Sequence, residues 1–295
     1  MTTNPTVSVE NITKRFGHTL ALDDVSLSFA PGQVTGLLGR NGAGKTTLLE
    51  IIHGQNFADR GRVMLDGEPI PENAHALNQL CLIREKTPYL KEYRVREVLA
   101  LCRDLNPNWD AAYADRLLER FELDVKKRVK QLSRGMESSL GLIAGLACRT
   151  PVVMFDEPSL GLDAVAREAF YDEIIRDLPE HPRTVVISTH LIDEVSRLFE
   201  RVVLIDAGQM LYDGELAELL EGARYVSGPK EQVDRAVAGL KILHDDQLGG
   251  TKVVCVKGMP REVDGVNIEG VPLQKLFVYL TQERRAQAGK GGAAS

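Results

Sequence analysis

One short segment constrains the fold of this chain more than any other. Residues 39–46 read Gly-Arg-Asn-Gly-Ala-Gly-Lys-Thr. The apolar run 34–38 precedes this segment, and residues 47–52 continue it with an apolar, helix-forming pattern. A G-x-x-x-x-G-K-T spacing between a buried strand and a helix is that of a phosphate-binding loop, and the flanking pattern makes a chance match rare.

The residue types of this loop explain its chemistry. Glycines let backbone N–H groups converge on phosphate oxygens, and the N-terminus of the following helix adds partial positive charge. Lys45 is then placed to bridge the β- and γ-phosphates of ATP, and the hydroxyl of Thr46 to hold Mg²⁺. The ATP-binding residues predicted here are Gly39, Arg40, Asn41, Gly42, Ala43, Gly44, Lys45, Thr46 and Thr47.

Further candidate residues follow two other apolar strands. Asp156 and Glu157 come directly after the run 152–155, and His190 follows a strand that ends at Thr189. In open α/β folds, ligands gather at the carboxyl ends of the strands. We therefore expect Asp156 to orient Mg²⁺, Glu157 to polarise the attacking water, and His190 to contact the γ-phosphate or steady Glu157. The alternatives are that the two acids only cap the end of a strand and that the histidine has only a structural role.

Composition narrows the class of protein. The chain has 295 residues, 43% of them hydrophobic, and a formal net charge of −6. No block of basic residues indicates a nucleic-acid arm, so direct nucleic-acid binding is disfavoured. The apolar runs are strand-sized, far below the roughly 20 residues of a membrane-spanning helix. The polar N-terminus lacks a signal peptide, and four widely spaced cysteines indicate neither zinc nor disulfides, so we expect a cytoplasmic protein.

The order of strand and helix patterns predicts an α/β protein. It is expected to be a P-loop NTPase with a mostly parallel core sheet, an antiparallel β subdomain at the start and a helical subdomain at about 94–150. A hairpin near 202–212 closes this ATP-binding domain, which we place at residues 1–221. A small C-terminal α/β domain is predicted at 222–284, followed by a disordered tail at 285–295.

Taken in order, these segments resemble the ATP-binding subunit of ABC transporters, of the bacterial exporter-like type, over residues 7–220. Residues 131–136, Gln-Leu-Ser-Arg-Gly-Met, occupy the place of the family's serine-glycine signature. The resemblance implies that Ser133 and Gly135, at a helix N-terminus, contact the γ-phosphate of ATP held by a second subunit. Arg134 and Met136 depart from the usual Gly and Gln. A Ser133 that only caps its helix is the alternative.

The resemblance also assigns three residues outside the signature. Asp163, in the loop after the acid pair, is implied to organise the dimer contact. Phe16 stands where the family stacks an aromatic ring on adenine, with core packing as its alternative. Glu85 replaces a glutamine that touches Mg²⁺ and senses the transporter, and a carboxylate there can still ligate the metal.

The function implied is an ATPase that powers transport. ATP and Mg²⁺ are the expected cofactors, and the partners are a second ATP-binding subunit, in a homodimer or heterodimer, and a separate transmembrane permease. Tyr89, Leu90 and Tyr93 are candidate permease contacts, and a closing helix at 271–280 favours export. This places the chain on the inner face of the cell membrane. The alternatives are a soluble ABC ATPase without a permease and a nucleotide-gated regulatory subunit.

Overall fold

The computed structural model of the protein describes residues 4–84 and 89–291. The chain divides into two compact units. One comprises Met1–His190 together with Ile205–Met210, and the other comprises Leu191–Leu204 together with Leu211–Ser295. The domain boundary that the sequence places at residue 222 stays a prediction.

The first unit contains both strands and helices. They are β1 (Val7–Phe16), β2 (Thr19–Phe29), β3 (Val34–Gly39), α1 (Lys45–Ile52), β4 (Arg60–Leu65), β5 (Glu68–Pro69), α2 (Ala74–Leu77), β6 (Leu80–Arg84), α3 (Val95–Leu105), α4 (Ala111–Arg120), a 3-10 helix (Val129–Gln131), α5 (Arg134–Ala147), β7 (Val152–Asp156), α6 (Ala164–Asp177) and β8 (Thr184–Thr189).

The N-terminal sheet is antiparallel, with the strand order β2-β1-β4-β5. Val7 pairs with Phe29, and Val9 pairs with Leu27. These side chains are buried because apolar residues alternate with polar ones along both strands and therefore share one face of the sheet. The predicted antiparallel β subdomain at the start of the chain is confirmed.

The central sheet is largely parallel. The strands β3, β8, β7 and β6 lie side by side in that order and pair in parallel. All residues of β3, β7 and β8 are buried, which explains their nearly continuous apolar sequences. Parallel pairing brings the carboxyl ends of these three strands to one edge, and the candidate residues follow them there.

A helical insert separates β6 from β7, as the sequence predicts. It contains α3, α4 and α5, and the Asp110 carboxylate caps α4 by accepting from the Tyr113 backbone N–H at 2.9 Å. The guanidinium of Arg149 donates to Asp110 at 3.0 Å and to Asp177 at 2.6 Å. This pair of contacts ties the insert to the end of α6.

The remaining elements follow β8 and belong to the second unit, except for Ile205–Met210, which is part of the first. They are α7 (Ile192–Val195), a 3-10 helix (Ser196–Leu198), β9 (Arg201–Asp206), β10 (Gln209–Glu215), α8 (Leu216–Glu221), β11 (Ala223–Pro229), α9 (Lys230–Ala236), β12 (Lys241–Leu248), β13 (Thr251–Lys257), β14 (Asn267–Gly270) and α10 (Leu273–Gly291).

The second unit is built on an antiparallel sheet with the order β12-β13-β11-β14. Side chains alternate between its two faces, and helices supply apolar residues to both. The first face packs with α9 through Val226, Val233, Ala236, Val237, Val254 and Val256. The second packs with α8 and α10 through Ala223, Cys255, Leu276 and Tyr279, joined by Leu219 and Leu220. The C-terminal part therefore has the α/β type of fold that the sequence predicts.

Helix α10 extends to Gly291, whereas the sequence analysis expected a disordered tail from residue 285. The first turns of the helix are anchored by the buried residues Leu273 and Leu276. Residues 282–288 are Gln, Glu, Arg, Arg, Ala, Gln and Ala, all good helix formers, so the helix propagates beyond its anchored part. Residues 292–295 lie outside the described part.

Candidate active site

The phosphate-binding loop connects β3 to α1, as predicted. Gly42 and Gly44 have φ values of +79° and +107°, which side chains other than glycine rarely adopt. A Cβ on Gly44 would also lie 2.6 Å from the carbonyl oxygen of Ala21. Glycine at this position is therefore required both by the backbone conformation and by the close approach of β2.

Lys45 is the first residue of α1 and is 5% exposed. Its Nζ donates to the carbonyl oxygen of Gly39 at 2.8 Å and to that of Arg40 at 3.3 Å. The same Nζ lies 3.1 Å from Oε1 of Glu157. The ammonium is thus held at the mouth of the loop beside the candidate catalytic carboxylate.

Asp156 joins the loop to the neighbouring strand. Its Oδ2 accepts from Oγ1 of Thr46 at 2.7 Å, and its Oδ1 accepts from the hydroxyl of Ser188. Both carboxylate oxygens are therefore oriented by hydrogen bonds, and the side chain cannot rotate without losing one of them. The sequence predicts a role in holding Mg²⁺ for both Thr46 and Asp156, and the structure brings these two residues together.

Glu157 follows the end of β7 with a φ of +52°, an uncommon conformation for a residue with a side chain. Its backbone N–H donates to the carbonyl oxygen of Ser188 at 3.1 Å, which fixes the turn. Its Oε2 lies 2.9 Å from Nδ1 of His190, opposite the contact with Lys45. Strained backbone of this kind costs about 1–3 kcal/mol and is typical of functional sites.

A cavity of about 400 Å³ opens beside these groups. The lining consists of Asn41, Gly42, Ala43, Gly44, Lys45, Thr46, Thr47, Glu157, Leu160, Thr19, Leu20 and Ala21. Six contiguous polar or small residues of the loop form one wall and Glu157 another, so a phosphate chain entering the cavity meets backbone N–H groups, the Lys45 ammonium and a carboxylate. Most of the predicted ATP-binding residues therefore share one cavity.

The aromatic residue assigned to adenine lies at the end of β1. The Phe16 side chain is 49% exposed, and Nζ of Lys14 lies 5.2 Å from the centre of its ring. An exposed ring does not pack in a core, so the alternative role for Phe16 is wrong. Its stacking on adenine stays a prediction.

The signature segment begins α5. Ser133 caps the helix, its Oγ accepting from the Met136 backbone N–H at 3.3 Å. Ser133 is exposed, so the cap leaves the hydroxyl accessible from solvent. A Cβ on Gly135 would lie 2.7 Å from the carbonyl oxygen of Gly161, so the signature and the loop before α6 approach each other closely within this chain.

Asp163 caps α6, its Oδ1 accepting from the Ala166 backbone N–H at 2.8 Å. The residue is exposed and stands at the end of the loop that contacts Gly135. The proposed dimer residues Ser133, Gly135 and Asp163 are therefore clustered through the contact of two loops. Glu85, the third predicted Mg²⁺ ligand, lies outside the described residues.

Sequence reasoning missed Ser188. Its hydroxyl donates to Asp156, and its oxygens accept from the Glu157 N–H, so one residue of β8 orients both acids. The available signal was a serine two residues before His190 at the carboxyl end of a buried strand. The pairing of β7 with β8, which sets Asp156 opposite Ser188, was needed to interpret it.

Known proteins that are similar to this chain point to the same class of protein as the geometry of the site. Residues 22–160 match the family described as ABC transporter. The Nod factor export ATP-binding protein I of Burkholderia lata is 34% identical over 221 residues, which are 73% of this chain and 72% of that protein. This chain belongs to the ATP-binding subunits of ABC transporters. It is an ABC-type ATPase of the exporter-like kind, and it binds ATP.

Two further proteins are similar to this chain. The ABC transporter ATP-binding protein YtrB of Bacillus subtilis is 29% identical over 215 residues, 73% of this ABC subunit and 74% of that protein. The dimeric post-hydrolysis structure of the ATP-binding cassette MJ0796 with ADP and Pi has a TM-score of 0.62 and 22% identity. It covers 71% of this chain and 98% of that one, which shows that the fold is shared.

The described helices of this ABC subunit include none that combines the length and the apolar character needed to cross a membrane.

Proposed function

We propose that this ABC subunit pairs with a second ATP-binding subunit, hydrolyses ATP through Glu157, and drives a separate membrane permease in export. The observation that carries the proposal is the position of Glu157. One carboxylate oxygen contacts the Lys45 ammonium at 3.1 Å and the other contacts His190 at 2.9 Å. The phosphate-binding lysine and the candidate base therefore share one edge of the sheet.

The loop residues supply phosphate binding. Backbone N–H groups between Asn41 and Thr46 and the N-terminus of α1 attract the phosphate oxygens, and Lys45 adds a full positive charge. Lys45 is nearly buried, so its charge is weakly screened by water. Phosphate oxygens compete with Glu157 for this ammonium, which releases the carboxylate for the attacking water.

Glu157 acts as the base that orients and polarises that water, and His190 holds the carboxylate in place. Phosphoryl transfer depends chiefly on positioning and charge stabilisation, and both are provided here by fixed groups. The positive φ of Glu157 and its N–H bond to Ser188 keep the side chain directed at the cavity.

The residues present also fit Mg²⁺. The Thr46 hydroxyl and the Asp156 carboxylate are hard oxygen donors only 2.7 Å apart, which is the type of ligand that Mg²⁺ prefers. When bound, the ion would neutralise charge on the phosphates. Thr46 and Asp156 are its proposed ligands, and Glu85 remains a further candidate from the sequence.

The second subunit is proposed to dock on the exposed start of α5. Ser133 caps that helix and is exposed, and Gly135 lies in its first turn, so the helix N-terminus can receive a γ-phosphate. Asp163 stands in the adjoining loop. The dimeric MJ0796 cassette supports a paired arrangement for this fold.

The permease is proposed to contact the segment before α3. Leu90 and Tyr93 are 57% and 40% exposed there, unusual for large apolar side chains so close together. The export role in the name of the Burkholderia relative supports the direction of transport. Docking on a permease would place this subunit at the inner face of the cell membrane.

ATP hydrolysis by the purified chain tests the role of Glu157. We expect Glu157→Gln to lower kcat by about 10²–10⁴-fold, the usual contribution of a general base, while ATP still binds. Glu180→Gln, which neutralises an exposed carboxylate elsewhere, serves as the matched control and should keep full activity. Full turnover by Glu157→Gln would show that the base is another group.

The same variant tests pairing. With ATP and Mg²⁺, Glu157→Gln should elute as a dimer in size-exclusion chromatography with light scattering, and Lys45→Ala should stay monomeric because it loses phosphate binding. Wild-type activity should rise more than linearly with protein concentration. A Glu157→Gln protein that binds ATP tightly and remains monomeric contradicts pairing of identical chains.

A further inference from the structure

The second unit contains a cavity of about 130 Å³ that involves none of the ATP-binding residues. Its wall is mainly aliphatic, with side chains from β10, α8, β11, β12 and α10. These are Leu211, Leu219, Ala223, Leu243, Leu276 and Leu280. The cavity thus lies on the sheet face that α8 and α10 cover.

The size and polarity of this cavity indicate an apolar guest. A dry cavity of about 150 Å³ lined by aliphatic side chains binds a benzene-sized molecule, whereas water requires two to four polar partners. The hydroxyl of Tyr212, which also lines the cavity, already donates to the carbonyl oxygen of Glu215 at 2.9 Å. A branched aliphatic or aromatic group therefore suits the space better than water.

Two residues of opposite charge line the cavity. Glu218 on α8 and Lys257 at the end of β13 both line it and are exposed. Within the part of the chain that is described, neither side chain has a hydrogen bond or an ion pair. Burial of Tyr212 and, second, the charge of the Glu218 carboxylate raise the pKa of the Tyr212 phenol.

Gly222 links the backbone segments that carry the two charged residues. Its N–H donates to the carbonyl oxygen of Glu218 at 3.0 Å, and its carbonyl oxygen accepts from the Gly258 N–H at 2.8 Å, next to Lys257. Ala223 then pairs with Lys257 across β11 and β13. The backbone therefore fixes an acid and a base beside one apolar space.

We propose that this cavity binds a hydrophobic α-amino acid. The side chain of the ligand occupies the aliphatic space, its ammonium group faces Glu218, and its carboxylate faces Lys257. A ligand with a single charge leaves one of the two protein charges without a partner, and a neutral hydrocarbon uses neither. The proposal does not rest on transport or on ATP hydrolysis by this subunit.

Calorimetric titration of the full chain with L-leucine and L-phenylalanine tests the proposal. We expect saturable binding of at least one of them, with a rise in melting temperature at saturation. The analogues 4-methylpentanoate and 3-methylbutylamine, which each lack one charge of leucine, should bind at least about tenfold more weakly because charge-assisted hydrogen bonds are lost. Absence of binding by both amino acids overturns the proposal.

Variants locate the site. Glu218→Gln and Lys257→Gln change exposed residues and should each weaken amino-acid binding about tenfold, whereas Glu221→Gln and Lys275→Gln, exposed residues outside the lining, should not. Leu276→Phe should fill the cavity and abolish binding. Benzene that binds as tightly as leucine, or leucine binding that survives the charge variants, overturns the zwitterionic ligand.

A P-loop variant separates this proposal from the ATP site. Lys45→Ala should lose ATP binding and keep amino-acid binding with unchanged affinity. Loss of both in Lys45→Ala, in a protein that remains folded by circular dichroism, would place the amino acid in the ATP site and overturn the assignment to the second unit.

Discussion

At the edge of the central sheet, Ser188 serves two neighbours at once. Its hydroxyl donates to Asp156, and its carbonyl and hydroxyl oxygens accept from the Glu157 N–H. The residue is fully buried, so water cannot replace these hydrogen bonds. Ser188 is thus a positioning residue for the two acids, although it need not touch the nucleotide itself.

Ser188→Ala should lower kcat about tenfold or more, since Asp156 loses one of its two orienting bonds and misplacement of a catalytic group is costly. ATP affinity should change much less because the phosphate-binding loop is intact. Steady-state hydrolysis and nucleotide titration measure the two effects. Thr35→Val removes another buried hydroxyl, one without a partner among the described residues, and should leave kcat unchanged.

His53, at the end of α1, makes the stability of the folded protein depend on pH. Burial and, second, the nearby Arg84 guanidinium lower the pKa of His53 below its usual 6.5. The unfolded chain therefore binds this proton more readily than the folded one, and stability falls as the pH drops through 6.5. Its Nδ1 is buried without a hydrogen-bond partner in the described structure.

We expect His53→Asn to flatten the dependence of the unfolding free energy on pH below about 6.5. Urea unfolding at a series of pH values measures the slope. The exposed residue His18 provides a control, because His18→Asn should keep the slope of the wild type. An unchanged slope in His53→Asn would assign the acid sensitivity to other groups.

Among the elements, α5 and α6 begin at loops that touch each other. Gly135 has no room for a side chain beside the carbonyl oxygen of Gly161, and Ser138 Oγ donates to the carbonyl oxygen of Leu160 at 3.0 Å. The start of α5 and the loop before α6 therefore keep a fixed relation. Movement of the signature segment would be transmitted to the loop that ends at Asp163.

Asp163 combines a cap with a proposed dimer contact, and two substitutions separate these roles. Asp163→Ala should lower the unfolding free energy by about 0.5–2 kcal/mol, whereas Asp163→Ser keeps a capping oxygen and should restore most of that stability. If the carboxylate organises the dimer, both variants should weaken the ATP-dependent dimer in the Glu157→Gln background. Normal dimerisation of Asp163→Ser would limit Asp163 to capping.

At the scale of the whole molecule, the sheet of the second unit is covered on both faces, and this limits where the chain can be truncated. Leu219 and Leu220 on α8 pack with Ala223, Cys255, Leu276 and Tyr279, which lie beyond residue 221. Helix α10 also contacts α7 within this unit. The residues after 221 therefore cover apolar side chains that come earlier in the chain.

A chain truncated to residues 1–221 should melt at a lower temperature and aggregate more than the full chain, because the leucines of α8 lose their cover. Differential scanning calorimetry and light scattering measure both effects. Replacing Leu219 and Leu220 by serine in the truncated chain should reduce aggregation. Equal stability of the truncated and full chains would show that residues 222–295 contribute nothing to the stability of the residues before them.

Several parts of the site could be predicted because their signals are local. The glycine spacing around Lys45 reflects backbone conformations that few other residues adopt, and the acids 156 and 157 directly follow a recognisable buried strand. The predicted disorder beyond residue 285 is wrong up to Gly291, because the helix formers of 282–288 carry the helix into the glycine-rich end of the chain. Propagation from an anchored first turn outweighs such composition.

Local patterns specify the strand-loop-helix around Lys45, the parallel sheet and the ATP-binding family, since each depends on periodicity or on residue types at short spacing. Other features follow from the packing of distant segments: Ser188 orients both acids, Lys45 and His190 contact opposite oxygens of Glu157, and Gly135 meets Gly161. These contacts join residues between 26 and 112 positions apart in the chain. Their geometry depends on which strands and loops become neighbours, and local patterns do not encode that choice.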